Sequence, residues 1–133
     1  MASQQRTNVE IVREGYEAFN EGDFETAMER FDDDIEWICP DGIRYGGTYH
    51  GPEEVGGFFE RVTSDIDGLQ LDIDRFIDGG DTVVVVGKTR GTASETGETL
   101  EYPFAHVLDL EDGRMTRFQE YPDTAQMEQA LGP

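Results

Sequence analysis

The sequence predicts an α+β fold, a cone in which three N-terminal helices pack on one face of a curved antiparallel β-sheet and a short C-terminal helix closes the chain. Three observations carry this reading. Apolar residues recur at helical spacing through the first third and again at 55–62. From Leu69 onward the period drops to two, the signature of strands with one wet face. Turns at Gly79-Gly80-Asp81, Glu95-Thr96-Gly97 and Asp112-Gly113 cut that second half into hairpins. Helices gathered on one face of such a sheet leave a pocket between the layers. The 133 residues suit a single domain spanning 1–133.

Each element follows from its residues. Thr7 is placed to N-cap the first helix, with Glu10 completing a capping box, and Val9, Val12, Tyr16 and Phe19 form its apolar stripe. Gly22 breaks that pattern and Asp23 caps a second helix over 24–31, with Phe24, Ala27, Met28 and Phe31 as its stripe. Ile35-Glu36-Trp37 begins a strand, and Cys39-Pro40-Asp41-Gly42 turns it. A glycine-rich loop over 45–51 holds one short strand. Pro52 then opens a third helix, in which Glu53 and Glu54 suit the positive N-terminal end and Val55, Phe58, Phe59 and Val62 give the stripe.

The strands follow in order. Leu69, Leu71 and Ile73 alternate with polar residues; 82–93 is a long strand centred on four valines; Leu100, Tyr102, Phe104, His106, Leu108 and Leu110 line one face of the next; and 115–121 is the last. Asp123 with Gln126 caps a closing helix carrying Met127 and Leu131.

Hairpin geometry predicts which side chains share the pocket. A three-residue loop at Glu111-Asp112-Gly113 sets Leu110 opposite Arg114 and Phe104 opposite Glu120, so that His106 and Glu120 lie diagonally on one face, roughly 7 to 8 Å apart at the backbone. A two-residue turn would put them on opposite faces. A loop of the same kind at Glu95-Thr96-Gly97 sets Arg90 opposite Tyr102 and Lys88 opposite Phe104, bringing a cation and a phenol to that face.

The charge is extreme: 30 acidic against 10 basic residues, a net of −20, with Lys88 the only lysine. Nucleic acid and anionic membranes are excluded as partners by this sign of charge. The acids are scattered over helices, turns and strands, which reads as a halophilic surface in a salt-rich cytoplasm, since at molar salt the Debye length falls to about 3 Å and self-repulsion is screened. No apolar run is long enough to span a bilayer, and the N-terminus lacks a secretory pattern. Cys39 is the single cysteine, and no Cys/His cluster offers a metal site. The acidic run 32–34 reads as solvated, because consecutive residues entering a strand point in different directions.

Asn20-Glu21-Gly22-Asp23, Asp33-Asp34-Ile35-Glu36-Trp37, Tyr49-His50-Gly51-Pro52-Glu53-Glu54-Val55 and Asp112-Gly113-Arg114, in this order and spacing, resemble the SnoaL-like branch of the NTF2-like superfamily, which includes ketosteroid isomerase-related and polyketide cyclase-like proteins. The resemblance covers nearly the whole chain. It implies a cone-shaped pocket for a small apolar or aromatic ligand, no cofactor, and a homodimer formed through the sheet. It implies no single reaction. Polyketide cyclases of this kind carry an acid on the last strand and a histidine on the preceding one, which Glu120 and His106 resemble in position, with Glu where Asp is usual.

His106 and Glu120 are therefore the candidate catalytic pair, since imidazole titrates near neutrality and a half-buried carboxylate can be tuned toward it. The structural alternative is a core histidine satisfied by a neighbouring carboxylate. Tyr16, Trp37, Cys39, Arg90, Tyr102, Phe104 and Phe118 are the candidate pocket lining. Cys39, Gly15 and Ala105 stand where an isomerase would carry its base and oxyanion donors, which counts against that activity. An epoxide hydrolase needs two carboxylates bridged by arginine; Arg90 could bridge, but Glu101 and Glu120 differ in strand parity. Two readings stay open: acid/base isomerisation or cyclisation of an apolar carbonyl compound, and a ligand-binding or dimerisation module without chemistry. The charge balance makes one firm expectation. The thermal midpoint should rise from dilute buffer to molar salt in a melting experiment, and equal midpoints would contradict a salt-adapted surface.

Overall fold

Thr7 starts the first helix as its chemistry demands: its hydroxyl accepts from the Glu10 amide at 3.1 Å while the Glu10 carboxylate accepts from the Thr7 amide at 3.0 Å. The computed structural model describes residues 7–131. Its elements are α1 (Asn8–Asn20), α2 (Phe24–Ala27), β1 (Phe31–Cys39), β2 (Gly47–His50), α3 (Gly51–Asp65), β3 (Ile66–Asp78), β4 (Thr82–Ala93), β5 (Thr99–Glu111), β6 (Arg114–Pro122) and α4 (Thr124–Leu131). The strands form one sheet in the order β2-β1-β6-β5-β4-β3. None of the described helices is long and apolar enough to cross a membrane.

Two expectations about the first third need correction. The second helix is one turn, not two, because Phe31 leaves it to open β1. The Met115 amide donates to Arg30 O at 2.7 Å and Phe31 pairs with Met115, so β6 captures the chain where the apolar stripe would have continued. A four-residue helix has too little stability of its own to resist. The sheet is also not wholly antiparallel, since β1 runs parallel to β6. Side-chain alternation is blind to strand direction, and only the long path from β1 to β6 permits a parallel pair.

The β3–β4 pair bends where the backbones approach closely. A Cβ on Gly87 would run into Asp72 O, and one on Gly91 into Ile66, beside the two register shifts of that pair. The bend wraps the sheet around α1 and α3, whose Ile11, Val12, Val55, Phe58 and Phe59 are buried against it. The loop before β2 is pinned as well. The Tyr45 hydroxyl donates to Asp65 at 2.8 Å, and the Arg44 guanidinium donates to the Leu131 carbonyl.

The outward face of the sheet carries two cross-strand rows, Ile77–Val84–Val107–Gln119–Ile38 and Arg75–Val86–Ala105–Tyr121. Tyr121 is 53% exposed and Ile77 42%, so this face is apolar and partly open.

Glycine geometry distinguishes two substitutions that look alike. Gly57→Ala, on an exposed helical position with open space around it, should raise stability by about 0.5–1 kcal/mol. Gly87→Ala should lower it and broaden the β3–β4 amide signals. Urea unfolding of both variants checks the pair.

Candidate active site

The inward faces of β1, β4, β5 and β6 and the stripes of α1 and α3 enclose a cavity of about 90 Å³. One water needs only roughly 10–15 Å³, so the cavity has room for more than a single water. Most of the wall is aromatic. Trp37 stacks flat on Phe118 with ring centres 3.6 Å apart, and Phe31, Phe58 and Phe59 surround it. Tyr16, Thr89, Tyr102, His106 and Glu120 supply its polar groups.

Register explains how His106 and Glu120 meet. The turn at Asp112-Gly113 has two residues, both left-handed (φ 51° and 76°), with Glu111 opposite Arg114. A two-residue turn alone would set the pair on opposite faces. A register shift between Asp109 and Leu110 inserts one extra residue on β6, and His106 then pairs directly with Glu120 rather than diagonally. The shared face was expected; its cause is different.

The β4–β5 register corrects the expectation for Arg90. Thr89, not Arg90, faces Tyr102, and Arg90 faces Glu101. The slip of one residue turns Arg90 and Lys88 outward and brings Thr89 and Tyr102 in. Arg90 is half-exposed and paired with Asp72, while Lys88 lies 3.9 Å from Glu101. The arginine bridge of an epoxide hydrolase is therefore absent from the cavity. Cys39 and Phe104 are buried beside the cavity without lining it: Phe104 stacks on the His106 ring at 4.0 Å, and the Cys39 thiol lies near enough to Glu120 to feel its charge.

Tyr16, Trp37, Tyr102 and Phe118 do line it, together with Phe19, Tyr45, Phe58, Phe59 and Thr89, which the sequence reading left out. Phe58 and Phe59 were visible as a helical stripe. Thr89 was not, because strand parity decides its direction.

Tyr16 proves to be more than a wall. Its hydroxyl lies 2.6 Å from His106 Nδ1, across 90 residues of chain. Burial, and then the negative charge of Glu120, push its pKa well up, so the phenol keeps its proton and donates it. Nδ1 is then the acceptor, and in the neutral ring the hydrogen sits on Nε2. Nε2 lies 3.4 Å from Glu120 Oε2, close enough for charge to act but outside hydrogen-bond alignment, and it has no other partner among the described residues. The Trp37 indole nitrogen is likewise buried without a partner.

Among the described residues, Glu120 is the one carboxylate in the wall. Burial raises the Tyr102 and Cys39 pKa values, and Glu120's own charge raises them further. A protonated Cys39 is no nucleophile. Chemically, the arrangement offers a carboxylate base beside an imidazole N–H and a phenol in a nearly dry pocket. Among the described residues, no three His, Cys, Asp or Glu side chains converge as a metal site.

These features sit on a recognisable fold. The sequence profile of the SnoaL-like domain matches residues 12–118, and the chain belongs to this family. An NTF2-like protein of unknown function from Burkholderia pseudomallei K96243 shares 36% identity with a TM-score of 0.89, over 97% of this chain and 100% of that one. An NTF2-like protein from Burkholderia thailandensis E264 is 34% identical with a TM-score of 0.91, over the same 97% and 100%. TerC, co-crystallised with polyporic acid, is 29% identical with a TM-score of 0.86, over 95% and 98%. No curated protein matches the chain.

Removing the phenol tests the ring assignment. Tyr16→Phe leaves Nδ1 buried without a donor and should cost about 1–3 kcal/mol in denaturant unfolding. In nitrogen NMR of the His106 ring, the native protein should show the Nε2–H tautomer alone, and a native Nδ1–H tautomer would refute the assignment.

Proposed function

We propose that the protein is a cofactor-independent acid/base enzyme acting on an apolar carbonyl compound, by isomerisation or aldol-type cyclisation. The observation that carries this reading is Glu120, a largely buried carboxylate facing His106 inside an aromatic cavity. Its oxygen takes a proton from carbon alpha to the carbonyl, and the electron pair moves to the carbonyl oxygen. An N–H of His106 or the O–H of Tyr102 hydrogen-bonds that oxygen as charge develops. Return of the proton at a different carbon completes isomerisation, whereas attack of the enolate carbon on a second carbonyl closes a ring, the new alkoxide taking the proton back from Glu120. TerC was co-crystallised with polyporic acid, which supports a small organic ligand for a protein of this fold.

The second reading is a binding module without turnover, favoured by the imperfect alignment of His106 Nε2 and Glu120. Deuterium exchange alpha to the carbonyl, followed by NMR across a panel of apolar ketones, separates the two. Glu120→Gln should cut exchange at least 100-fold while changing ligand affinity by less than a few-fold. Binding without exchange in the native protein would leave the module.

The working form we propose is a homodimer through the outward face of the sheet, in a salt-rich cytoplasm. Val84, Val86, Ala105 and Val107 with exposed Tyr121 make an apolar surface there, on a chain that is otherwise densely acidic. Val107→Glu should halve the mass measured by sedimentation at molar salt; a native protein that sediments as a monomer would overturn the dimer.

A further inference from the structure

We infer that Glu120 makes the cavity a charge filter, admitting uncharged ring-bearing molecules with a carbonyl oxygen and rejecting carboxylates, phenolates and other anions. This rests on the reading of the cavity as a ligand site and names the class of ligand that it takes. Among the described residues, the wall contains one carboxylate, Glu120, and no lysine or arginine. Lys88 and Arg90, on the strand that borders the cavity, point outward to Glu101 and Asp72.

Among the described residues, His106 is the only lining group able to carry a positive charge, and that charge would already face Glu120. Nδ1 takes the Tyr16 hydroxyl, and Nε2 faces Glu120, so an imidazolium there would already be matched. A bound anion would thus be taken out of water beside a like charge with no cation to meet it. The pocket's own groups report the same physics. Tyr16 and Tyr102 in the wall, and Cys39 behind it, are all held in their neutral forms by burial and by the charge of Glu120. A ligand's acidic group meets those two penalties at once. An uncharged ring avoids both, and Trp37, Phe58, Phe59 and Phe118 offer it apolar faces.

Three probes of one shape and three charges test the filter: acetophenone, benzoate and benzylammonium, titrated by ligand-observed NMR. Molar salt screens the long-range field of the acidic surface, leaving Glu120 as the local charge. The native protein should bind acetophenone, bind benzoate at least tenfold more weakly, and bind benzylammonium more tightly than benzoate. Hydration differences between probes cancel when proteins are compared, so Glu120→Gln is the deciding arm. It should tighten benzoate at least tenfold and change acetophenone less than threefold. Glu120→Ala repeats that arm if the glutamine variant fails to fold by circular dichroism. Native binding of benzoate within threefold of acetophenone, benzoate bound as tightly as benzylammonium, or a benzoate affinity unmoved by substitution would each overturn the filter while leaving a ligand site standing. Failure of all three probes to bind would remove the ligand site as well.

Discussion

The site depends on one packing constraint, the bulged pairing of β5 with β6. The tight turn at Asp112-Gly113 and the extra residue that follows it act in opposite senses, and their sum is what sets His106 against Glu120 on the inward face. Either device alone would send one of the two out to solvent. Because β5 also pairs with β4, and β6 with β1, this register carries across the sheet: Thr89 and Tyr102 face inward beside the pair, and Trp37 is brought flat onto Phe118. A bulge next to a polar cluster in an apolar cavity is a device for aiming side chains.

Burying a carboxylate is costly unless its surroundings compensate, and among the described residues no lysine or arginine lines the cavity beside Glu120. The Cys39 thiol is near enough to feel the charge of Glu120, and His106 Nε2 lies 3.4 Å from Glu120 Oε2. The Tyr16–His106 hydrogen bond joins α1 to β5, so the orientation of the imidazole is set by packing of the whole helical layer. Tyr16 in turn meets Phe76 edge-on, which ties its position to β3. Such a network is stiff, and stiffness is what a positioned acid/base pair needs.

Surface and interior follow opposite rules. Thirty acidic residues cover helices, turns and outward strand positions, yet a single carboxylate reaches the cavity wall. The relatives from Burkholderia share the fold at about one-third identity, so the cone tolerates wide sequence change. The chemistry is therefore to be read from the few polar groups of the cavity and not from the fold they sit on.

By itself, the sequence determined the helices, the strands and their inward-facing residues, because capping, turn chemistry and side-chain periodicity are local properties. Thr7 with Glu10, Asp23, Pro52, the four-valine strand and the alternation from Leu100 to Leu110 were all legible this way. Tyr16, Trp37, Tyr102 and Phe118 could be placed at the cavity for the same reason. Three things were decided only by tertiary structure. Phe31 left its helix because β6 competes for the backbone there, β1 lies parallel to β6, and loop length between β4 and β5 turned Arg90 outward and Thr89 in. Each is a choice of partner or register across many residues, where one position of slip reverses a face and leaves the local pattern unchanged. The bond from Tyr16 to His106 belongs with these, since a helical stripe shows which side chain is buried but not which atom it will meet.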